Sequence, residues 1–109
     1  QIMQHTTAYH KILLGSRLIG GVIVSRRSAG HYQLERIFLD PAVHQQGHGL
    51  AAMQATFARY PNAQTWTLDT PTWNVRTRSF YQKLGFKIVR ETDEFVYFEK
   101  KIADTVHIE

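Results

Sequence analysis

The sequence predicts a single α/β domain built on a mixed sheet, with its elements in the order β-β-β-α-β-α-β-β. Three apolar, β-branched runs at the start are separated by short turns, which is typical of an antiparallel meander. Two segments with helical periodicity follow, and the short strand between them favours a parallel pairing in the middle of the sheet. The chain has 109 residues, the usual size of one domain.

The meander is predicted from turn residues and from β-branched runs. Gly15-Ser16 joins two strands as a hairpin, and Gly30 ends the second turn because glycine tolerates a positive φ. Asp40-Pro41 ends the third strand, since proline donates no ladder hydrogen bond. The polar residues 1–10 are predicted to form a tail or the end of a missing element. The predicted strands are residues 11–14, 17–25 and 31–39, and residues 26–30 are a turn.

The second half is predicted to alternate helices and strands. The first helix begins near Gly47 and ends at Pro61-Asn62, because its apolar residues recur on one helical face. These residues are Leu50, Met53, Phe57 and Tyr60. The second helix covers residues 75–84, with Asn74 as a side-chain N-cap and Gly85 as a left-handed stop. The remaining predicted strands are residues 65–70, 86–90 and 95–102.

Composition excludes several classes of function. The net charge of +4 comes from scattered basic residues, without the basic run of a nucleic-acid-binding arm. No apolar segment approaches the roughly 20 residues of a membrane span, so no membrane partner is expected. The chain has no cysteine, which excludes disulfides, thiolate metal sites and cysteine nucleophiles and permits a cytoplasmic location, the one we expect. Its histidines lack metal-ligand spacing, so no metal is predicted.

A glycine-containing loop, residues 43–50, separates the third strand from the first helix. Gly47 and Gly49 remove side chains where a ligand would approach the backbone, and the helix N-terminus favours an anion such as a diphosphate. A tight turn that needs glycine only for its geometry is the alternative. The loop therefore suggests a phosphate-bearing cofactor, and with it an enzyme.

The second helix carries the other candidate site residues. Phe80 and Leu84 are spaced to face the core, and Tyr81 is one residue off that stripe. We expect Tyr81 at the core edge, where its phenol can reach a cleft and donate a proton to a leaving thiolate. A core-edge tyrosine whose hydroxyl bonds to backbone is the alternative. Trp73, just before Asn74, is a candidate for lining an acceptor pocket.

These two segments together resemble the GNAT superfamily, the GCN5-related N-acetyltransferases. The family signature Arg/Gln-x-x-Gly-x-Gly/Ala reads His44-Gln45-Gln46-Gly47-His48-Gly49 here, with histidine at its first position. The later signature Asn-x-x-Ala-x-x-Phe-Tyr-x-Lys-x-Gly-Phe begins at Asn74 and ends at Phe86, and departs at Thr77. The resemblance covers residues 12–102. It implies one N-acetyltransferase domain over residues 1–109 that lacks the family's first strand and one or two helices.

The resemblance implies acetyl-CoA as acyl donor and assigns residues to it. The third strand would bond the pantetheine arm, splaying away from the next strand to admit the thioester, and the loop amides would hold the diphosphate. The implied cofactor-binding residues are Ile37, Phe38, Leu39, Gln45, Gln46, Gly47, His48, Gly49, Leu50, Asn74 and Tyr81. Tyr81 would also protonate the departing CoA thiolate. His44 is a further candidate for contacting phosphate.

The implied reaction is direct acetyl transfer to a primary amine of a small molecule or a protein. Glu35 and Asp69 are the candidate general bases, with Glu35 slightly favoured. The alternative for each is a structural ion pair, for example with Arg36 or Arg76.

Other interpretations remain open at the level of sequence. A non-catalytic CoA-binding or regulatory module would keep the same fold. A Rossmann-type domain is disfavoured, because the glycine loop follows three antiparallel strands and not the opening strand of a βαβ repeat. The apolar run at residues 95–98 is a candidate pairing surface for a homodimer.

Overall fold

The computed structural model describes residues 6–102 and contains one six-stranded mixed sheet with two α-helices. The element order confirms the predicted β-β-β-α-β-α-β-β succession, with a short 3₁₀ turn added at Pro41–Val43. The strands lie in the order β1-β2-β3-β4-β6-β5. The elements are β1 (Thr6–Leu14), β2 (Arg17–Ser28), β3 (His31–Leu39), α1 (His48–Arg59), β4 (Thr65–Pro71), α2 (Val75–Lys83), β5 (Lys87–Glu91) and β6 (Phe95–Lys101).

The first three strands form the predicted antiparallel meander, but two of its boundaries differ. The prediction that residues 6–10 belong to a tail is wrong, because Thr6 pairs with Arg26 and β1 continues from there to Leu14. Residues 1–5 of that predicted tail lie outside the described residues. Strand β2 runs on to Ser28, because Arg26 and Ser28 pair with Tyr32 and His31 of β3, and the second turn is shorter than predicted. Gly15 and Gly30 turn the chain with φ of +62° and +74°.

The middle of the sheet opens. Strands β3 and β4 are parallel, as predicted, but they pair only where residues 31–33 meet residues 65–67. Beyond that point the two strands separate, while β4 pairs along its whole length with β6 on its other side. The edge of β3 that faces β4 is therefore left without a partner strand from residue 34 onward.

Both helices pack on the same face of the sheet. Phe57 of α1 and Tyr81 of α2 both contact the ring of Phe86, at centroid distances of 6.2 and 5.7 Å. The predicted apolar face of α1 is confirmed, since Met53 is fully buried and the other three residues pack against the core. Trp66, on β4, is 0% exposed and contacts the rings of Tyr32, Phe57 and Tyr60.

The helix ends agree with prediction except at Asn74. Gly47 is the N-cap of α1, with φ of +80°, and Gly85 follows α2 with φ of +94°. Asn74 occupies the N-cap position of α2, but its side chain makes no capping hydrogen bond, so that part of the prediction is wrong. None of the helices formed by residues 6–102 is long and apolar enough to cross a membrane.

Candidate active site

A cleft of about 660 Å³ lies beside the end of β3, in the stretch that no longer pairs with β4, and three parts of the chain enclose it. One wall is the end of β3, another is the loop and first turn of α1, and the third is one side of α2. This is where the sequence placed its cofactor site. The lining residues are Ile37, Phe38, Leu39, His44, Gln45, Gly47, Gly49, Leu50, Arg76, Thr77, Phe80 and Lys83.

The loop before α1 presents unsatisfied backbone donors. Within residues 6–102, the N–H groups of residues 45–50 donate no hydrogen bond to the protein. Gln45 and Gly47 both have positive φ, +62° and +80°. Such a conformation costs a non-glycine residue about 1–2 kcal/mol. These free N–H groups, with the dipole of α1 behind them, make a site suited to a diphosphate.

The two glycines have different structural reasons. A Cβ at Gly47 would meet nothing within 4 Å, so this glycine is required by its left-handed conformation. A Cβ at Gly49 would lie 3.3 Å from Phe80 Cε1, so this glycine lets α2 pack closely against the start of α1. Conformation and packing therefore account for both glycines, and the same loop geometry leaves the backbone donors free.

The end of β3 is paired with another strand on one side only. Its residues 37–39 pair with β2 on one side and line the cleft on the other. His44 Nε2 donates a hydrogen bond of 2.9 Å to the carbonyl oxygen of Leu39. This side chain thus ties the loop to the strand, and the Leu39 carbonyl already has one partner.

The α2 wall carries residues that sequence reasoning did not assign to the site. Arg76, Phe80 and Lys83 recur at helical spacing and line the cleft together with Thr77. Thr77, which departs from the family signature, donates from its hydroxyl to the Asn74 carbonyl oxygen at 2.8 Å. The i, i+4, i+7 spacing of Arg76, Phe80 and Lys83 was the sequence signal that could have placed these three residues on one side of α2. Asn74 itself is half-buried and is not among the residues that line the cleft.

Tyr81 is more deeply buried than predicted. The prediction that it lies at the core edge is wrong, because only 7% of the residue is exposed and its ring packs against Phe86 and Phe98. Burial raises the pKa of its phenol to about 12. Among the described residues, the hydroxyl has no hydrogen-bond partner, but it is not a fully buried atom and keeps some solvent-accessible surface. The neighbouring Phe80, whose ring lies 5.0 Å from that of Tyr81, lines the cleft.

The two candidate bases lie on the sheet face opposite the helices, at the mouth of the opening. Trp66 and Leu68 point into the core, so Asp69 of the same strand points to the other face. Glu35 stands at a bulge in β3 and accepts a hydrogen bond from the buried Ser25 hydroxyl, a neighbour on that face. Each carboxylate is two residues beyond the last parallel pair of β3 and β4.

Their surroundings differ. Glu35 Oε2 also lies 3.8 Å from Arg27 Nη1, so Glu35 does form a structural ion pair, with Arg27 as the partner. Asp69 is exposed and makes no ion pair or hydrogen bond through its side chain within the part of the chain described. The structure therefore orients one candidate base and leaves the other free.

The remaining histidines and tryptophans do not gather at this site. No group of His, Cys, Asp and Glu within residues 6–102 is arranged to hold a metal ion. His48 lines a separate cavity of about 300 Å³ between α1 and strands β1 and β2 and is not among the residues that line the cleft. Trp66 is a core residue, whereas Trp73 is 78% exposed and lines a groove with Phe95.

Known proteins share this sequence pattern and this fold. The family model described as "Acetyltransferase (GNAT) family" matches residues 2–86. An uncharacterized protein of Bacillus subtilis (strain 168), YrkN, is 34% identical over 87 residues, which make up 79% of this chain and 47% of that protein. This chain therefore spans about half the length of that relative.

Solved structures agree in fold. An acetyltransferase from Thermus thermophilus superposes with a TM-score of 0.80 at 15% identity, over 88% of this chain and 64% of that one. A GNAT family acetyltransferase from Elizabethkingia anophelis, solved with acetyl-CoA bound, gives a TM-score of 0.73 at 14% identity, over 83% and 72% of the two chains. The family match covers well over half of the sequence, and the chain belongs to the GNAT acetyltransferase family.

Proposed function

We propose that this chain is an acetyl-CoA-dependent N-acetyltransferase that acetylates a primary amine of a small molecule or a protein. The observation that carries the proposal is the cleft, in which free loop N–H groups and an unpaired strand edge border one continuous space. A diphosphate fits the first feature and an amide-containing arm fits the second. Membership of the family and the acetyl-CoA-bound structural relative support the same ligand.

The proposed chemistry is a single displacement. The amine nitrogen attacks the thioester carbonyl carbon, the C–N bond forms, the C–S bond breaks, and the electron pair leaves with sulfur. The amine must shed a proton, which Glu35 or Asp69 accepts directly or through water. Because both carboxylates lie on the sheet face away from the helices, we infer that the acceptor approaches from that face.

Tyr81 is the proposed proton donor to the leaving sulfur. Its raised pKa, about 12, keeps the phenol protonated throughout the physiological range, as a donor must be. Tyr81→Phe should therefore lower turnover by about 100-fold or more, while acetyl-CoA affinity stays within a factor of two or so. Free-thiol release and calorimetric binding measure the two quantities separately, and unchanged turnover would remove Tyr81 from the mechanism.

A non-catalytic CoA-binding module is the second candidate. It is favoured by the burial of Tyr81, which is not among the cleft-lining residues, and by the engagement of Glu35 with Ser25 and Arg27. The deciding experiment is a panel of primary amines incubated with the protein and acetyl-CoA, with thiol release as readout. Release with at least one amine supports the enzyme. Tight acetyl-CoA binding with no release across the panel supports the module, and absence of binding contradicts both.

A further inference from the structure

The side of α2 that faces the cleft is cationic at both ends. Arg76 and Lys83 stand about one helical turn before and after Phe80, and all three line the same space. Phe80 is also the residue nearest to Gly49 at the start of α1. Arg76 and Lys83 therefore lie on either side of the point where α2 contacts the start of α1, next to the loop that carries the free N–H groups.

Neither cation has a charged partner in the protein. Within residues 6–102, Arg76 and Lys83 form no ion pair and no side-chain hydrogen bond, and both are exposed. Arg78 on the same helix does form an ion pair, since its Nη2 lies 2.8 Å from Glu91 Oε2. The cleft thus contains two separate positive features, the loop N–H groups on one wall and the two side chains on another.

Two positive features suit a ligand with two anionic groups. Building on the proposed function, we propose that Arg76 and Lys83 form a subsite for the 3′-phosphate of the acyl donor, so that the protein distinguishes CoA from dephospho-CoA. A phosphomonoester carries close to two negative charges near neutral pH. Guanidinium and ammonium groups bind it through charge-assisted hydrogen bonds, and these are stronger than bonds between neutral groups. The loop N–H groups, which carry no formal charge, are left to the diphosphate.

The competing role for these cations is to reinforce the diphosphate site. In that case both donors would depend on Arg76 and Lys83 to the same degree, because CoA and dephospho-CoA share the diphosphate. The 3′-phosphate subsite instead predicts a loss confined to the phosphorylated donor. The comparison of donors across variants therefore separates the two roles.

The test measures dissociation constants of acetyl-CoA and acetyl-dephospho-CoA by calorimetry on the full chain and its variants. The unsubstituted protein should bind acetyl-CoA about tenfold or more tightly than the dephospho form, as one charge-assisted phosphate contact permits. Arg76→Gln and Lys83→Gln should each weaken acetyl-CoA several-fold, roughly 3- to 10-fold, and leave the dephospho form unchanged. The double variant should bind both donors about equally.

Lys87→Gln provides a matched control, because it removes the same charge from an exposed position on β5 outside the cleft. It should keep the preference of the unsubstituted protein. Equal affinity of the unsubstituted protein for both donors would overturn the subsite, and so would an equal loss for both donors in the Arg76 and Lys83 variants. Failure to bind either donor would contradict the proposed function as well.

Discussion

The burial of the Tyr81 phenol makes the free energy of unfolding depend on pH in the alkaline range. Its pKa is raised from 10 to about 12 by burial, whereas the unfolded chain ionises this group near 10. Because the folded value is the higher one, its contribution to stability is complete below pH 10. That contribution is lost as the pH rises from 10 through 12, where the unfolded state releases the proton first.

Tyr81→Phe should therefore flatten the alkaline decline in stability. We expect the free energy of unfolding of the unsubstituted protein to fall by on the order of 1 kcal/mol more than that of Tyr81→Phe between pH 9 and pH 11. Urea unfolding at the two pH values measures this difference. Tyr9→Phe, at a site that is 63% exposed, is the control and should follow the unsubstituted protein. Parallel declines in all three proteins would contradict the prediction.

The assignment of the general base also belongs to single residues. We expect Glu35→Gln to lower turnover by about 100-fold at unchanged acetyl-CoA affinity, because general-base catalysis contributes on this order. Asp69→Asn should have a smaller effect. Steady-state thiol release measures both, with Glu94→Gln, an exposed turn residue, as a control for loss of charge. A larger loss in Asp69→Asn than in Glu35→Gln would assign the base to the free carboxylate.

At the scale of elements, the junction between loop and α1 depends on a left-handed residue. Gly47→Ala should lower the free energy of unfolding by about 1–2 kcal/mol, since alanine strains at φ of +80°. The new methyl group would meet no atom within 4 Å, so backbone strain alone accounts for the loss. Denaturant unfolding provides the measurement. A loss below roughly 0.3 kcal/mol would mean that the loop relaxes out of this conformation.

Most elements follow from patterns that the sequence displays, and the exceptions have physical reasons. The α1 face was predictable because its apolar residues at helical spacing all pack against the core. Helix α2 contacts both the core and the cleft, and periodicity alone does not tell which side Tyr81 or Phe80 takes. Residues 6–10 gave no strand signal, because the outer strand of a sheet is held by backbone pairing with β2 and needs little apolar alternation.

The candidate site was predictable where it depends on backbone and hidden where it depends on side chains. The glycines and the end of the third strand placed the loop from sequence, and the family resemblance implied the open edge of β3. The bulge at Glu35, its contact with Ser25 and the partner Arg27 arise from the register between two strands, which residue types do not encode locally. The place of Arg76 and Lys83 in the cleft could not be predicted from sequence, because it depends on the position of α2 relative to α1.

At the scale of the whole molecule, stability centres on a cluster of aromatic rings beneath the sheet. Trp66→Ala should lower the free energy of unfolding by about 3–5 kcal/mol, because it leaves a cavity among three packed rings. Trp73→Ala, at a position that is 78% exposed, should cost no more than about 0.5 kcal/mol. Guanidinium unfolding followed by circular dichroism measures both, and similar losses would contradict this view of the core.

The short parallel pairing of β3 with β4 makes the sheet two ribbons joined by a narrow seam. One ribbon is β1 to β3 and the other is β4 to β6. Within the described sheet, β3 and β4 pair only at residues 31–33 and 65–67, next to hydrogen bonds from the N–H groups of Gln64 and Thr65 to the Gly30 carbonyl oxygen. An acyl donor whose amide-containing arm hydrogen-bonds along the open edge of β3 would extend that seam. We expect such a ligand to hold the two ribbons together. Its binding should slow amide hydrogen exchange in both ribbons at once, so that cofactor occupancy reduces local opening of the fold.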